Sequence, residues 1–287
     1  MDSHVGDPQV GGATRTVGII GWPVAHSLSP AIHNAAFRAL GLDWIYVPLP
    51  VRPEHVFAAL SGLGAVGFSG ANVTMPHKTV AAEMIDDLSD EARALGAVNT
   101  IVVRDGLLRG ENTDAPGFER FLRDDAGFDP AGRAALVYGS GGAARACALA
   151  LARGGLASLA VAVRDPARAR ALLRVTEPFP TEVRVVPLGE VAGRDADLVV
   201  NATPIGEDGR SLLPEPAYRP GMLVVDLLYQ PAATPLFSRA RAAGATAFGG
   251  LGLLLHQAAL SFELWTGQRP PLDVMSAAGL AALAERG

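Results

Sequence analysis

Cysteine occurs once in 287 residues, at Cys147, which excludes an internal disulfide and any metal site built from cysteines and fits a reducing compartment. A lone small thiol of this kind reads as a core residue. Basic blocks are missing too. With a net charge of −5 the chain lacks the electrostatic footprint that nucleic acid or an anionic membrane surface calls for. No apolar run is long and unbroken enough to span a bilayer, and residues 1–12 carry no apolar signal core. The expected compartment is the cytoplasm, and the expected ligand is small.

What the sequence does have is a hydrophobic share of 49%, with Gly 33 and Pro 21: enough apolar surface for a sizeable core, and many loops. Domains centre on about 100 to 150 residues and single cores stop growing near about 250 to 300, so two domains are expected.

From Thr14 strand and helix alternate. Thr16 to Ile20 is a short β-branched run ending at Gly21, and Ser29-Pro30 opens a helix that runs to about Leu40. Ser29 has a local role as cap, whereas Ser27 has none; together the two hydroxyls at a helix N-terminus can bind a carboxylate. Trp44 to Val47 and Val66 to Val73 read as strands, with helices over Pro53 to Leu60 and after Pro76, which implies a parallel sheet. Asp86 to Leu95 reads as a helix. Val98 to Val103 and Leu107 to Gly110 flank Asp105-Gly106, a hairpin signal, so one edge of the sheet is expected to be antiparallel.

Two polar clusters stand out against this apolar frame. Asn72 to Lys78, NVTMPHK, puts a lysine at the start of a helix just beyond a strand. Asn99-Thr100 and Asn112-Thr113-Asp114 fall at the ends of the next strands. Lys78 and Asp114 converging on one pocket would form a proton-transfer site; alternatively, Asp114 caps the helix over Ala115 to Arg123.

After the joint at Gly127 to Gly132, the strand Ala134 to Tyr138 runs into Gly139, Ser140, Gly141, Gly142, Ala143 and Ala144 and then a helix rich in Ala and Leu. This is the GxGxxA form of the dinucleotide fingerprint in the strand–turn–helix context it requires. The alternative is a plain strand-to-helix turn. The next strand, Leu159 to Val163, ends at Arg164-Asp165, with Arg168 a turn further on. Arginines at that strand end would receive the phosphate of NADP, while the aspartate fits the ribose hydroxyls of NAD; otherwise they are solvated helix-start residues. Further strands are read at Asp197 to Asn201, Leu223 to Asp226 and Thr246 to Phe248, and helices at Leu253 to Trp265 and Met275 to Ala282. The last two have nothing to pack on in a finished nucleotide-binding unit and are expected to return to the first domain. Gln257 on that helix is either a site residue or an exposed polar position.

The expected architecture is therefore α/β with two domains. A substrate domain with a mostly parallel sheet takes residues 14–115 and 251–287, and a Rossmann-like dinucleotide-binding domain takes 116–250.

GWPVAHSLSPAIH, NVTMPHK, GAVNT, GENTDAPG, GSGGAARA, NATPIG and GLLLHQA, in this order and spacing, resemble the shikimate dehydrogenase family over almost the whole chain. The resemblance implies reversible NADPH-dependent reduction of 3-dehydroshikimate to shikimate, in aromatic amino-acid biosynthesis, by a monomer or homodimer. It implies Lys78 and Asp114 as the catalytic pair, with Lys78 exchanging the proton and Asp114 orienting it and the substrate hydroxyl. It also implies Ser27 and Ser29 on the substrate carboxylate and Thr74, Asn99 and Gln257 on the ring hydroxyls. On the cofactor side it implies Gly139, Ser140, Gly141, Gly142 and Ala143 as the phosphate loop, Arg164 and Arg168 as the adenosine phosphate clamp, Thr203 and Tyr229 along the nicotinamide and substrate, and Gly250 beside them. Three positions depart from the family pattern. Val163-Arg164-Asp165 replaces asparagine-arginine-threonine, so NAD is the alternative cofactor; Glu207 replaces a methionine; Trp22 stands where smaller or polar residues are common. Relatives of the same fold that act on quinate or an amino-substituted shikimate, and a non-catalytic sensor of the same ligands, are the rival readings.

Overall fold

A computed structural model of the chain describes residues 10–188, 195–211, 218–231 and 233–285. Residues 1–9, within the stretch read as lacking a signal core, lie outside the described residues. The chain divides into two compact units, Met1–Asn112 with Ala258–Gly287, and Thr113–Gln257. The division falls a few residues away from the sequence-based boundaries, before Thr113 and after Gln257. Asp114 and Gln257, expected in the substrate domain, thus belong to the second unit.

The first unit contains strands β1 (Arg15–Gly21), β2 (Trp44–Pro50), β3 (Phe68–Val73), β4 (Asp87–Leu88), β5 (Thr100–Arg104) and β6 (Leu107–Glu111), with helices α1 (Ser29–Ala39), α2 (Val56–Gly62), α3 (Lys78–Met84) and α4 (Asp90–Leu95). Its sheet runs in the order β2-β1-β3-β5-β6-β4. β5 is antiparallel to both of its neighbours, and β4 pairs parallel with β6. The antiparallel strand therefore lies inside the sheet rather than at its edge, because the two-residue β4 adds on beyond the hairpin; part of the segment read as helix from Asp86 is this strand. The hairpin turn is at Asp105-Gly106, both with positive φ, as the dipeptide predicts.

Alternation along the strands separates two faces. Ile20, Ala71, Val73 and Ile101 face a core closed by Val56 and Leu60 of α2, Ala81 of α3 and Ala92 of α4. On the other face α1 supplies His33 and Phe37, which stack with Tyr46 and Phe262. Asn34 also belongs to α1, and its side chain exchanges two hydrogen bonds with the backbone of Tyr46 (2.8 and 2.9 Å), pairing the outer edge of β2.

The second unit contains α5 (Asp114–Asp124), β7 (Ala134–Tyr138), α6 (Gly142–Arg153), β8 (Ser158–Val163), α7 (Arg170–Thr176), β9 (Glu182–Pro187), β10 (Leu198–Asn201), β11 (Leu223–Asp226), α8 (Pro235–Ala242) and β12 (Thr246–Phe248). The sheet order β12-β11-β10-β7-β8-β9 is parallel throughout. This is the doubly wound order of a Rossmann fold, whose topological switch point lies between β7 and β10. β9 and α8 have no counterpart in the sequence reading: β9 carries charged residues at alternate positions and α8 opens on a proline. Cys147 is buried in α6, as expected.

Two helices end the chain. α9 (Leu251–Thr266) contains the second division between the units, and α10 (Leu272–Ala284) packs on α1. Trp265 at the end of α9 donates its indole N–H to Ile101 O (2.9 Å), so the tail from Ala258 belongs to the first unit.

Candidate active site

In the first unit β1, β3 and β6 end, and β5 begins, at one end of the sheet, as the pairings Ile20 with Val73, Asn72 with Thr100 and Thr100 with Glu111 require. The predicted Ser27, Ser29, Thr74, Lys78 and Asn99 all leave from that end. Backbone hydrogen bonds tie their segments together. Thr74 N donates to Ile20 O, Trp22 N to Met75 O, Val73 N to Asn99 O and Val98 N to Lys78 O, at 2.8 to 3.1 Å. Lys78 is the first residue of α3 and half-buried. The residue before it, His77, is buried, with Nε2 2.7 Å from Val51 O, and this anchors the turn from which the lysine projects.

Ser27 has a local role that its position in the sequence did not announce: its Oγ accepts from Ser29 N (3.2 Å). Ser29 does not cap α1 with its side chain; it is the first helical residue and is buried.

Behind Asn99, Asn72 and Thr100 of the polar clusters meet Tyr46 and Ser261, two groups that the sequence reading passed over. Asn72 Nδ2 is within 3.0 to 3.1 Å of Asn99 O, Thr100 Oγ1 and Ser261 Oγ, and Tyr46 donates its hydroxyl to Asn72 Oδ1 (2.8 Å). A backbone carbonyl only accepts, so Asn72 turns its amide nitrogen toward that cluster. Thr100 donates to Asn99 Oδ1 (2.9 Å), and with its one proton so committed Ser261 is the donor in their 2.7 Å contact. The network fixes Asn99 by its oxygen. The available signal was an asparagine at an otherwise apolar strand position, within NVTMPHK.

In the second unit Asp114 is the first residue of α5, and Thr113, at the N-cap before it, makes no side-chain cap hydrogen bond. Gln257 is half-buried on α9, where Thr113 Oγ1 donates to its Oε1 (3.5 Å) and its own Nε2 donates to Leu254 O (2.9 Å). A Cβ on Gly117 would come 2.8 Å from Gln257 Cβ, so glycine lets α5 approach α9 closely here.

The cofactor residues predicted from the sequence gather at the C-terminal ends of β7, β8, β10 and β11. Gly139 has φ +108°, and a Cβ there would lie 2.9 Å from Ala202 O, so only glycine fits this turn. At Gly141 an added Cβ would meet nothing within 4 Å. α6 begins at Gly142, and its N-cap residue, Gly141, supplies no side-chain cap. Open space before uncapped helix amides suits a pyrophosphate, and Ala144, fully buried, keeps the helix against the sheet. The residues present therefore fit a dinucleotide. Arg164 is exposed. Arg168 Nε lies 3.7 Å from Asp165 Oδ2, and Asp165 caps the following turn by accepting from Ala167 N (3.0 Å). Thr203 follows β10, Tyr229 follows β11 and is half-buried, and Gly250 N donates to Leu228 O (2.9 Å). Asp226, at the end of β11, is buried; burial raises its carboxyl above the usual range, opposed by hydrogen bonds from Thr234, Leu228 N and Asn201.

Among the described residues no cluster of His, Cys, Asp and Glu is arranged to hold a metal ion, and no helix is long and apolar enough to cross a membrane.

With this geometry in place, the chain matches the family model for the shikimate dehydrogenase substrate binding domain over residues 19–101, and that for the shikimate 5'-dehydrogenase C-terminal domain over residues 250–278. It is 45% identical to the shikimate dehydrogenase (NADP(+)) of Geobacter metallireducens over 95% of this chain and 98% of that one. The chain belongs to the shikimate dehydrogenase family. Within the family, the solved Thermus thermophilus shikimate 5-dehydrogenase, in complex with NADP(H) and shikimate, is 40% identical, with a TM-score of 0.82 over 94% of this chain and all of that one (100%). A quinate dehydrogenase from Corynebacterium glutamicum in complex with NAD superposes with a TM-score of 0.83 at 31% identity, covering 93% and 99%.

Proposed function

We infer that the chain is an NADP-dependent shikimate dehydrogenase, reversibly reducing 3-dehydroshikimate to shikimate in aromatic amino-acid biosynthesis. It acts on small molecules in the cytoplasm, as a monomer or homodimer, without nucleic acid. The observation that carries the reading is the gathering of Ser27, Ser29, Thr74, Lys78 and Asn99 at one end of the substrate-domain sheet, in a chain whose second unit has a dinucleotide turn at its switch point.

NADP, when bound, supplies the hydride acceptor for oxidation and, in its reduced form, the donor for reduction. Gly139 to Ala143 would hold its pyrophosphate, Arg164 and Arg168 its adenosine phosphate, and Thr203, Tyr229 and Gly250 its nicotinamide end. Ser27 and Ser29 bind the substrate carboxylate, helped by the N-terminus of α1. Thr74, Asn99 and Gln257 hold the ring hydroxyls. In oxidation Lys78 Nζ takes the proton of the reacting hydroxyl as the carbonyl forms; in reduction its ammonium stabilises the charge on that oxygen and returns the proton. Asp114 accepts a hydrogen bond from a substrate hydroxyl and so orients the ring.

Steady-state oxidation of shikimate and quinate, each with NADP and NAD, tests this. Turnover fastest with shikimate and NADP is expected. Preference for quinate and NAD would move the chain to the neighbouring activity, and no turnover with any pair would leave only a ligand sensor.

A further inference from the structure

One buried carboxylate in the second unit lies outside the roles assigned above yet touches the segments that carry two of them. Asp226 is 1% exposed. Its Oδ1 accepts from Asn201 Nδ2 (3.0 Å) and from Leu228 N (3.2 Å), and its Oδ2 accepts from Thr234 Oγ1 (2.5 Å). The line continues through Asn201. Asn201 Oδ1 accepts from both Thr203 N (3.1 Å) and Thr203 Oγ1 (2.7 Å), while Asn201 Nδ2 also donates to Ile205 O (2.9 Å). Thr203 Oγ1 in turn accepts from Ile205 N (3.2 Å). The hydroxyl of Thr203 is thus engaged within its own turn, and its methyl carbon lies 3.1 Å from where a Cβ on Gly139 would sit. On the other side, the hydrogen bond from Leu228 N fixes the residue next to Tyr229, and Leu228 O accepts from Gly250 N (2.9 Å).

We propose that Asp226 is a positioning residue for the cofactor: through Asn201 it sets Thr203 against the glycine turn, and through Leu228 it sets the loop bearing Tyr229 and Gly250. The proposal rests on the cofactor-site reading given above. A buried charge is costly unless it is hydrogen-bonded, and here three donors from three segments converge on it. An amide in its place keeps one oxygen for Asn201 and Leu228 and can turn its N–H to Thr234, whose hydroxyl accepts as well as donates. A side chain with no acceptor leaves Asn201 and Leu228 N without their partner, and a line of hydrogen bonds two residues long then loses its fixed end. Asp226 need not touch NADP for this; it acts through Thr203 and Tyr229.

The test measures NADP binding by calorimetry in the absence of turnover, beside KM for shikimate. Asp226→Ala is expected to raise the NADP dissociation constant about tenfold, the equivalent of one buried hydrogen bond lost, with KM for shikimate within about twofold. Thr234→Val removes a donor from the same carboxylate but leaves the line to Thr203 intact, so it should lower the melting temperature with little change in NADP binding. In an Asn201→Ala background, Asp226→Ala should add little further loss. Unchanged NADP binding in Asp226→Ala, equal weakening in Thr234→Val, or additive losses in the double variant would each overturn the proposal. If Asp226→Ala does not fold, Asn201→Ala breaks the same line nearer the cofactor, and unchanged binding there overturns it equally. Gly139→Val separates the two levels. If it leaves NADP binding intact, the cofactor-site reading itself falls; if it abolishes binding while Asp226→Ala does not, only the positioning role falls.

Discussion

Asn72 and Ser261 lie 189 positions apart in the chain, yet the amide nitrogen of the first is 3.0 Å from the hydroxyl of the second. The contact joins the end of strand β3 to helix α9, and it is one of three hydrogen bonds that Asn72 Nδ2 makes in a buried position. Asn72→Leu puts an apolar side chain of similar size in its place and so deletes this hub and the acceptor of the Tyr46 hydroxyl. Buried polar partners left behind cost more than the bonds themselves contribute. The expected loss is about 2 to 4 kcal/mol of stability, read as a lower urea midpoint at unchanged slope. A loss below about 0.5 kcal/mol, the range of an ordinary surface substitution, would refute the hub role.

That network also marks where the sequence stops being legible. NVTMPHK and GSGGAA could be read because turn chemistry and helix starts are local: Pro76 lies just before Lys78 at the start of α3, and Gly139, with φ +108°, lies just before the start of α6 at Gly142. The β/α alternation and the Asp105-Gly106 hairpin were legible for the same reason. Asn72, Tyr46, Thr100 and Ser261 are partners only after folding, from four separate elements, so no spacing announces them. Asp226 was hidden likewise, reading as the polar end of an apolar strand. The position of β5 inside the sheet depended on the two-residue β4, too short for periodicity to show.

His33 gives a pH dependence of known sign. It is fully buried, its ring stacks on Tyr46 at 4.5 Å and 2°, and among the described residues neither ring nitrogen has a hydrogen-bond partner. Burial lowers its pKa from 6.5 to about 3. Below pH 6.5 the unfolded chain binds a proton that the native state refuses, so this stability is complete above that pH and is lost as pH falls toward about 3. His33→Leu removes this pH dependence. Between pH 7 and 4.5 the variant should lose about 2 to 3 kcal/mol less stability than the parent chain, measured by denaturant titration at both values; parallel losses would show that His33 titrates normally.

Lys78→Ala should lower turnover by about 10² to 10⁴ with KM for shikimate within a few-fold, the pattern of an interaction made chiefly in the transition state. The fold should survive, since the segment is held by backbone bonds such as Val98 N to Lys78 O and by His77 against Val51 O, none of which uses the lysine side chain. Near-normal turnover in a folded variant would end its assignment as the proton-transfer group.

The cofactor preference turns on the end of β8. Val163 is buried in the strand, so the position occupied by asparagine in the family pattern offers no polar contact, and in the proposed cofactor site recognition is left to Arg164, Arg168 and Asp165. Arg168 and Asp165 are 3.7 Å apart with side chains 77% and 55% exposed, so their pairing is worth little. The carboxylate matters more for what it repels. Asp165 repels a nucleotide phosphate and suits a ribose diol. Because its structural task is to accept from Ala167 N, which asparagine performs equally well, Asp165→Asn removes the charge and keeps the cap. NADP should then bind a few-fold more tightly, with the gain shrinking at high ionic strength as exposed charges are screened, while NAD gains nothing. Arg164→Ala should act in the opposite direction, weakening NADP by about tenfold or more and NAD by less than about twofold. The ratio of kcat/KM for the two cofactors, measured in both variants at low and high salt, checks the pair of effects together. Equal losses for NADP and NAD in Arg164→Ala would place the arginine away from the phosphate, and a salt-independent gain in Asp165→Asn would mean that the carboxylate acts through the turn it caps and not through its charge.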